Sequence, residues 1–187
     1  MKVREISDRV SYSINGKDYI IIIKGQITRL QEALLVTWMI AWTICGALLI
    51  WEYYSGDNPK ELRMGILVVL AFWVYYEWRI GKVVFWRLWG KELIRVTEGE
   101  LNIKRAVRSY GKAHVFFLQN VKDLHVQEVD KGTFSYTLNQ SFWVKGGERF
   151  IFTHHKKKIR FGMQLNDNET RALNRVLREA MHKNHKG

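Results

Sequence analysis

The densest cluster of side chains able to do chemistry is His154-His155-Lys156-Lys157-Lys158, followed by Arg160. Placed on a turn between two strands, these cations suit docking onto anionic headgroups, where each charge contributes about 1 kcal/mol near the surface. The plainer use is a solvated turn whose lysines discourage edge pairing. Lys104 and Arg105, with Arg108 nearby, form a second and irregular basic group. Glu77 is the one carboxylate placed where it could serve an intramembrane proton or cation pathway. Arg79, two positions on, favours a hydrated site at the membrane interface instead. Asp123 and His125 alternate on an expected strand, and His114 and His125 could meet in space. His154 and His155, as strand neighbours, should point to opposite faces, and nothing at ligand spacing accompanies them, so no metal site is expected. Cys45 lies within an apolar run, and no nucleophile-elbow, Walker or dinucleotide fingerprint is present. These residues point to a chain that is not an enzyme and needs no cofactor.

The elements that must carry these residues are of two kinds. Ala33 to Trp51 is an uncharged run of 19 residues bracketed by Glu32 and Glu52. About 20 apolar residues match a hydrocarbon core of about 30 Å, so this run can span a bilayer. The second uncharged run, Met64 to Tyr76, has 13 residues. It must extend to about Leu62–Gly81 to cross, with Arg63, Glu77 and Arg79 at its ends. Between the runs, Gly56, Asp57, Asn58 and Pro59 predict a tight connection. Seven of the eight Trp residues lie between positions 38 and 89, as suits a membrane segment with its flanks. Lys17, Lys24 and Arg29 precede the first run, and Arg79, Lys82, Arg87, Lys91 and Arg95 follow the second. The positive-inside rule then places both termini in the cytoplasm. Glu77–Lys91, which mixes Trp and Phe with Arg and Lys, should continue the second span into the headgroup region.

Residues 81–187 hold 21 Lys and Arg against 10 Asp and Glu, nearly all of the net charge of +12. Nucleic acid is not the expected partner, because the aromatic pattern of single-stranded RNA readers is missing. Short alternating strands are expected at 93–97, 101–107, 114–118, 121–129, 149–154 and 158–165, with 131–145 unassigned and Gly146-Gly147 as a turn. Ahead of the membrane runs, residues 11–23 read as a β-hairpin turning on Asn15-Gly16, which must dock on the later strands to be stable. A helix should close the chain, capped by Asn166 with Glu169. Its apolar stripe is Ala172, Leu173, Val176, Leu177, Ala180 and Met181. The expected division is an N-terminal β-hairpin segment over 1–29, a two-helix membrane hairpin over 30–90 and a mostly-β domain over 91–187.

The segments LIRVTEGELNIKR, FFLQNVKDLHV and RFGMQLNDNETRALNRVLREAM carry a resemblance. About seven antiparallel strands capped by one C-terminal helix, after two spans, resembles bacterial membrane proteins with a pleckstrin-homology-like (PH-like) domain. The resemblance covers roughly residues 90–183 and rests on strand order. It implies a multi-pass protein of the bacterial cytoplasmic (inner) membrane, in contact with membrane lipids. Its cytoplasmic domain would bind a partner protein or act as scaffold or accessory subunit, with self-association left open. The first alternative is an anionic-lipid-binding module using Lys156, Lys157, Lys158, Arg160, Lys104 and Arg105. The second is a small transport or pore subunit using Glu77.

Overall fold

A computed structural model describes residues 2–25, 27–127 and 147–185. The chain divides into two compact units, Ile27–Leu88 and the combination of Met1–Gln26 with Trp89–Gly187.

The first unit is a helical hairpin. Helix α1 (Arg29–Ser55) opens on Thr28, whose hydroxyl accepts the Gln31 N–H while the Gln31 side chain accepts the Thr28 N–H. This reciprocal cap satisfies two of the amides that a helix start leaves unpaired. Helix α2 (Lys60–Trp89) runs 30 residues without a break. The aromatic-basic segment after the second apolar run is therefore helical as far as Trp89. Leu35, Met39, Trp42, Gly46 and Leu49 are among the covered positions of α1; Ile66, Leu70, Trp73, Glu77 and Ile80 are among those of α2. Steps of three and four put each set on one face. At Gly46 an added Cβ would lie 2.1 Å from the Trp73 ring, so only glycine fits there. The Trp73 indole N–H donates to the Trp42 carbonyl at 2.9 Å. Both helices are long and apolar enough to cross a membrane. Their outer faces expose Leu34, Ile40, Ile44, Leu48, Val68 and Phe72.

The second unit holds two antiparallel sheets and a helix. The six-stranded sheet runs in chain order: β1 (Lys2–Ser7), β2 (Val10–Asn15), β3 (Asp18–Lys24), β4 (Gly90–Thr97), β5 (Glu100–Val107) and β6 (Ala113–Phe117). The three-stranded sheet is β7 (Lys122–Val126), β8 (Glu148–His154) and β9 (Lys157–Met163). Helix α3 (Asp167–His185) follows. Tyr19, Ile21, Ile94, Val96 and Leu101 from the first sheet share one core with Phe150, Phe152 and Phe161 from the second. Leu173, Leu177 and Ala180 of α3 enter the same core, so the expected stripe is a packing face. Asn166 and Glu169 exchange hydrogen bonds of 2.8 and 2.9 Å, the expected capping box.

Three features differ from the sequence reading. Strand β1, KVREIS, was not foreseen; only Val3 and Ile6 are apolar in it, and its pairing with β2 holds it extended. The first hairpin turns on Gly16-Lys17 rather than Asn15-Gly16, because Asn15 pairs with Asp18. Gly16 has φ +61° at the first loop position, where a II′-type turn requires a residue without Cβ. Finally, the N-terminal strands are not a separate segment. Strand β3 pairs with β4 from Tyr19↔Val96 to Lys24↔Lys91, so the helical hairpin is inserted between two neighbouring strands of one sheet. The unassigned stretch 131–145 and Gly146 lie outside the described residues.

Candidate functional site

Charged groups occur in two settings, and the first is fully satisfied. Glu92 is completely buried on β4 and shares the core-facing side with Ile94 and Val96. Its Oε1 accepts from Arg105 Nε at 3.0 Å, and its Oε2 accepts from the backbone amides of Gly162 and Met163 at 2.9 and 3.0 Å. Gly162 has φ +77°, and a Cβ there would meet Phe150 at 2.6 Å. Glycine at that point lets the β9 backbone turn its amides toward the carboxylate. Arg105 is committed in turn, donating to the Arg160 carbonyl at 2.9 Å and pairing with Glu148 at 3.2 Å. This cluster ties the two sheets together.

Beside it the interior opens. A cleft of about 330 Å³ is lined by Ile103, Phe116 and Ile159, with Arg105, Lys112, His114 and Arg160 around them. It lies where two sheets end, because β6 is the last strand of one and β9 the last strand of the other. The floor is apolar and the rim cationic. Among the described residues, neither Lys112 nor Arg160 has a carboxylate within ion-pair distance. Phe116 continues the aromatic layer inward, with ring centroids 5.2 Å from Phe152 and 5.1 Å from His154. Burial, and then the neighbouring charge of His155, hold the His154 imidazole below its ordinary pKa.

The β8–β9 turn forms the second cationic feature. Its two central residues, His155 (φ +45°) and Lys156 (φ +64°), are both left-handed without being glycine, an arrangement costing about 1–2 kcal/mol per residue. Lys156, Lys157 and Lys158 are all exposed. Lys122, opposite Thr153 in the pairing of β7 with β8, adds a fourth lysine, and a shallow cavity of about 410 Å³ separates it from Lys156. Since the strand ends at His154, His155 leaves the pleat, and the two imidazoles meet edge-to-face with centroids 4.3 Å apart. The expectation that they point to opposite faces is thereby corrected.

The predicted basic residues thus fall into three places. Lys156, Lys157 and Lys158 form the tip, while Arg160 and Arg105 stand together at the cleft, Arg105 already satisfied. Lys104 lies on the opposite face of β5, with Nζ 3.5 Å from the Ser109 carbonyl. Lys112 and Lys122 were not singled out, and His114 was weighed only as a partner for His125. The spacing of Lys112 and His114 showed only that they could share a face, not that two sheet edges would frame them. Asp123 and His125 do not form a carboxylate–imidazole pair. A bulge at Asp123 (φ +56°) puts the His125 ring 2.6 Å from the Asp123 backbone carbonyl, and His114 lies on the other sheet.

Glu77 faces the partner helix. The Thr43 hydroxyl lies 2.8 Å from both Glu77 Oε1 and the Met39 carbonyl, one proton between two acceptors. Glu77 Oε2 is buried with no hydrogen-bond partner among the described residues. The carboxylate is therefore half-buried in the helix seam. No family model, no curated protein and no solved structure matches the chain.

Proposed function

We propose that the chain is a bacterial inner-membrane protein with both termini cytoplasmic, and that its mostly-β unit is a PH-like domain that recruits or assembles a partner protein at the membrane surface. The cleft carries this reading: an apolar floor rimmed by Lys112 and Arg160, cations with no carboxylate partner among the described residues. Concave sites with an apolar lining and a few convergent polar groups are what binding modules present. Two sheets around one core with a helix against them support the PH-like assignment. For the orientation, Lys24 and Lys91 face each other across β3 and β4, next to where the chain leaves for α1 and returns from α2. Directly opposed like charges destabilise a sheet in water, and an anionic membrane surface offsets that repulsion.

Affinity purification of the tagged full-length chain in mild detergent tests the recruitment reading. A partner recovered in near-stoichiometric amount, and lost from the Lys112→Glu, Arg160→Glu variant, is the expected result. Recovery of the chain alone, or equal recovery by the variant, overturns it.

The Lys156–Lys158 tip favours a second reading, anionic headgroup binding. In anionic nanodiscs at low salt these lysines should be shielded from an amine-reactive label, and raising the salt should expose them. Equal labelling in neutral and anionic lipid counts against it.

A further inference from the structure

Strand β6 is the last of its sheet among the described residues, with no described strand on its outer backbone, and this fixes how a partner could bind. The register of β5 with β6 pairs Leu101 with Phe116 and Ile103 with His114. The Leu118 amide donates to the Gly99 carbonyl at 2.8 Å, one step beyond the strand. Hydrogen-bonded pairs alternate along an antiparallel ladder. His114, Phe116 and Leu118 therefore spend their amides and carbonyls on β5, whereas Ala113, Val115 and Phe117 direct theirs away from it. Among the described residues no strand takes them up.

This edge also lacks most of the usual protections. Val115 and Phe117 are 51% and 58% exposed, and the strand holds neither proline nor a bulge. On its other face, His114 and Phe116 line the cleft beside Ile159 and Arg160. Polar backbone at the rim, apolar pockets beside it and unpaired cations around it are the three components of recognition by strand addition, in which main-chain bonds hold the peptide and alternate side chains select it.

We propose that the cleft binds an extended acidic segment of a partner protein as a seventh strand on β6. One set of its alternate side chains is apolar and enters the cleft over Phe116 and Ile159, while its carboxylates meet Lys112, Arg160 and the Lys156–Lys158 turn. The proposal rests on the recruitment reading above and specifies its chemistry. An acidic occupant follows from the charge of the rim; a basic or helical one would leave those cations or the outward amides unanswered.

Proline at position 115 separates this mode from cleft binding in general. Because the Val115 amide points outward, Val115→Pro removes a donor that only an added strand would use, and proline is tolerated where an edge-strand amide faces solvent. His114→Pro would instead break the bond to Ile103. The probe is a displayed library of random dodecapeptides, panned on the full-length chain in detergent and counter-selected against empty micelles. Enriched peptides are expected to be acidic with alternating apolar residues. They should bind Val115→Pro about tenfold more weakly, as the loss of one to two backbone bonds implies, and Val115→Thr as they bind the parent. Unchanged thermal unfolding of Val115→Pro shows that the edge, not the fold, was altered. Peptides that bind Val115→Pro normally but fail on Lys112→Glu, Arg160→Glu overturn strand addition and leave the recruitment reading standing. Peptides indifferent to both variants, or no enrichment at all, overturn both.

Discussion

The charges around Glu92 and those of the β8–β9 turn lie in the same unit, yet they are treated in opposite ways. Glu92 is fully buried and receives three hydrogen bonds, one of them from an arginine that is itself bonded to a carbonyl and a second carboxylate. Lys156, Lys157 and Lys158 are exposed at and just after a turn that holds two non-glycine residues in left-handed backbone. Burying a charge is tolerable only when its bonding capacity is met, so the first cluster has nothing left to offer a ligand. The second has no ion-pair partner among the described residues and is open to a ligand. Formal charge alone does not separate structural from binding residues in this chain; the number of unmet partners does.

The largest effect that would break this contrast is Glu92→Ala. It leaves the Arg105 guanidinium without its buried partner and orphans the amides of Gly162 and Met163, at a cost of about 3–5 kcal/mol. With total domain stability of about 5–15 kcal/mol, thermal unfolding of the full chain in detergent should show a large drop in midpoint. Glu92→Gln should fall between, since its carbonyl oxygen can still accept from both amides while the bond from Arg105 is lost. A small effect of Glu92→Ala would mean that the sheets are joined by packing alone.

Much of this architecture was legible in the sequence, for a physical reason. Alternation of apolar residues marked the core side of β5 at Leu101 and Ile103 and of β9 at Ile159 and Phe161, and the Asn166–Glu169 spacing announced α3, because both signals are local. Even Glu92 left a trace: it alternates with Ile94 and Val96, which puts it on the core side, as Arg105 alternates with Leu101 and Ile103. Its partner amides on β9 lie 70 residues away and left none. The cleft was illegible for the same reason, since it exists only where β6 and β9 end side by side. Strand β1 was missed because a charged hexapeptide becomes a strand only when β2 supplies the ladder. The face Glu77 takes was illegible because hydropathy gives depth but not rotation, and the helix face is set by contacts such as Gly46 against Trp73.

At the other side of the contrast, replacing Lys156, Lys157 and Lys158 together by Gln should change stability by no more than about 0.5 kcal/mol, as for surface sites without partners. The same variant should lose the lipid-dependent shielding of the turn. A marked loss of stability would instead assign these lysines a structural role and remove the contrast with Glu92.

The smallest effect lies between the two regions, at His154, which joins the aromatic layer at Phe116 to the basic turn. Its folded-state pKa is below the ordinary 6.5, chiefly through burial and then through His155. The folded chain therefore binds fewer protons than the unfolded chain as the pH falls past that value. Stability rises with pH wherever the unfolded state holds more protons. The contribution of the neutral imidazole is thus complete above about pH 6.5 and is lost as the pH drops through the depressed value. His154→Phe keeps a ring against Phe116 and removes the titration. Between pH 7 and 5.5, the parent should lose more of its unfolding temperature than His154→Phe does, while the exposed histidines, common to both, cancel in the comparison. Parallel pH profiles would show that the imidazole titrates as freely as the lysine turn it adjoins, moving His154 from the buried side of the contrast to the exposed one.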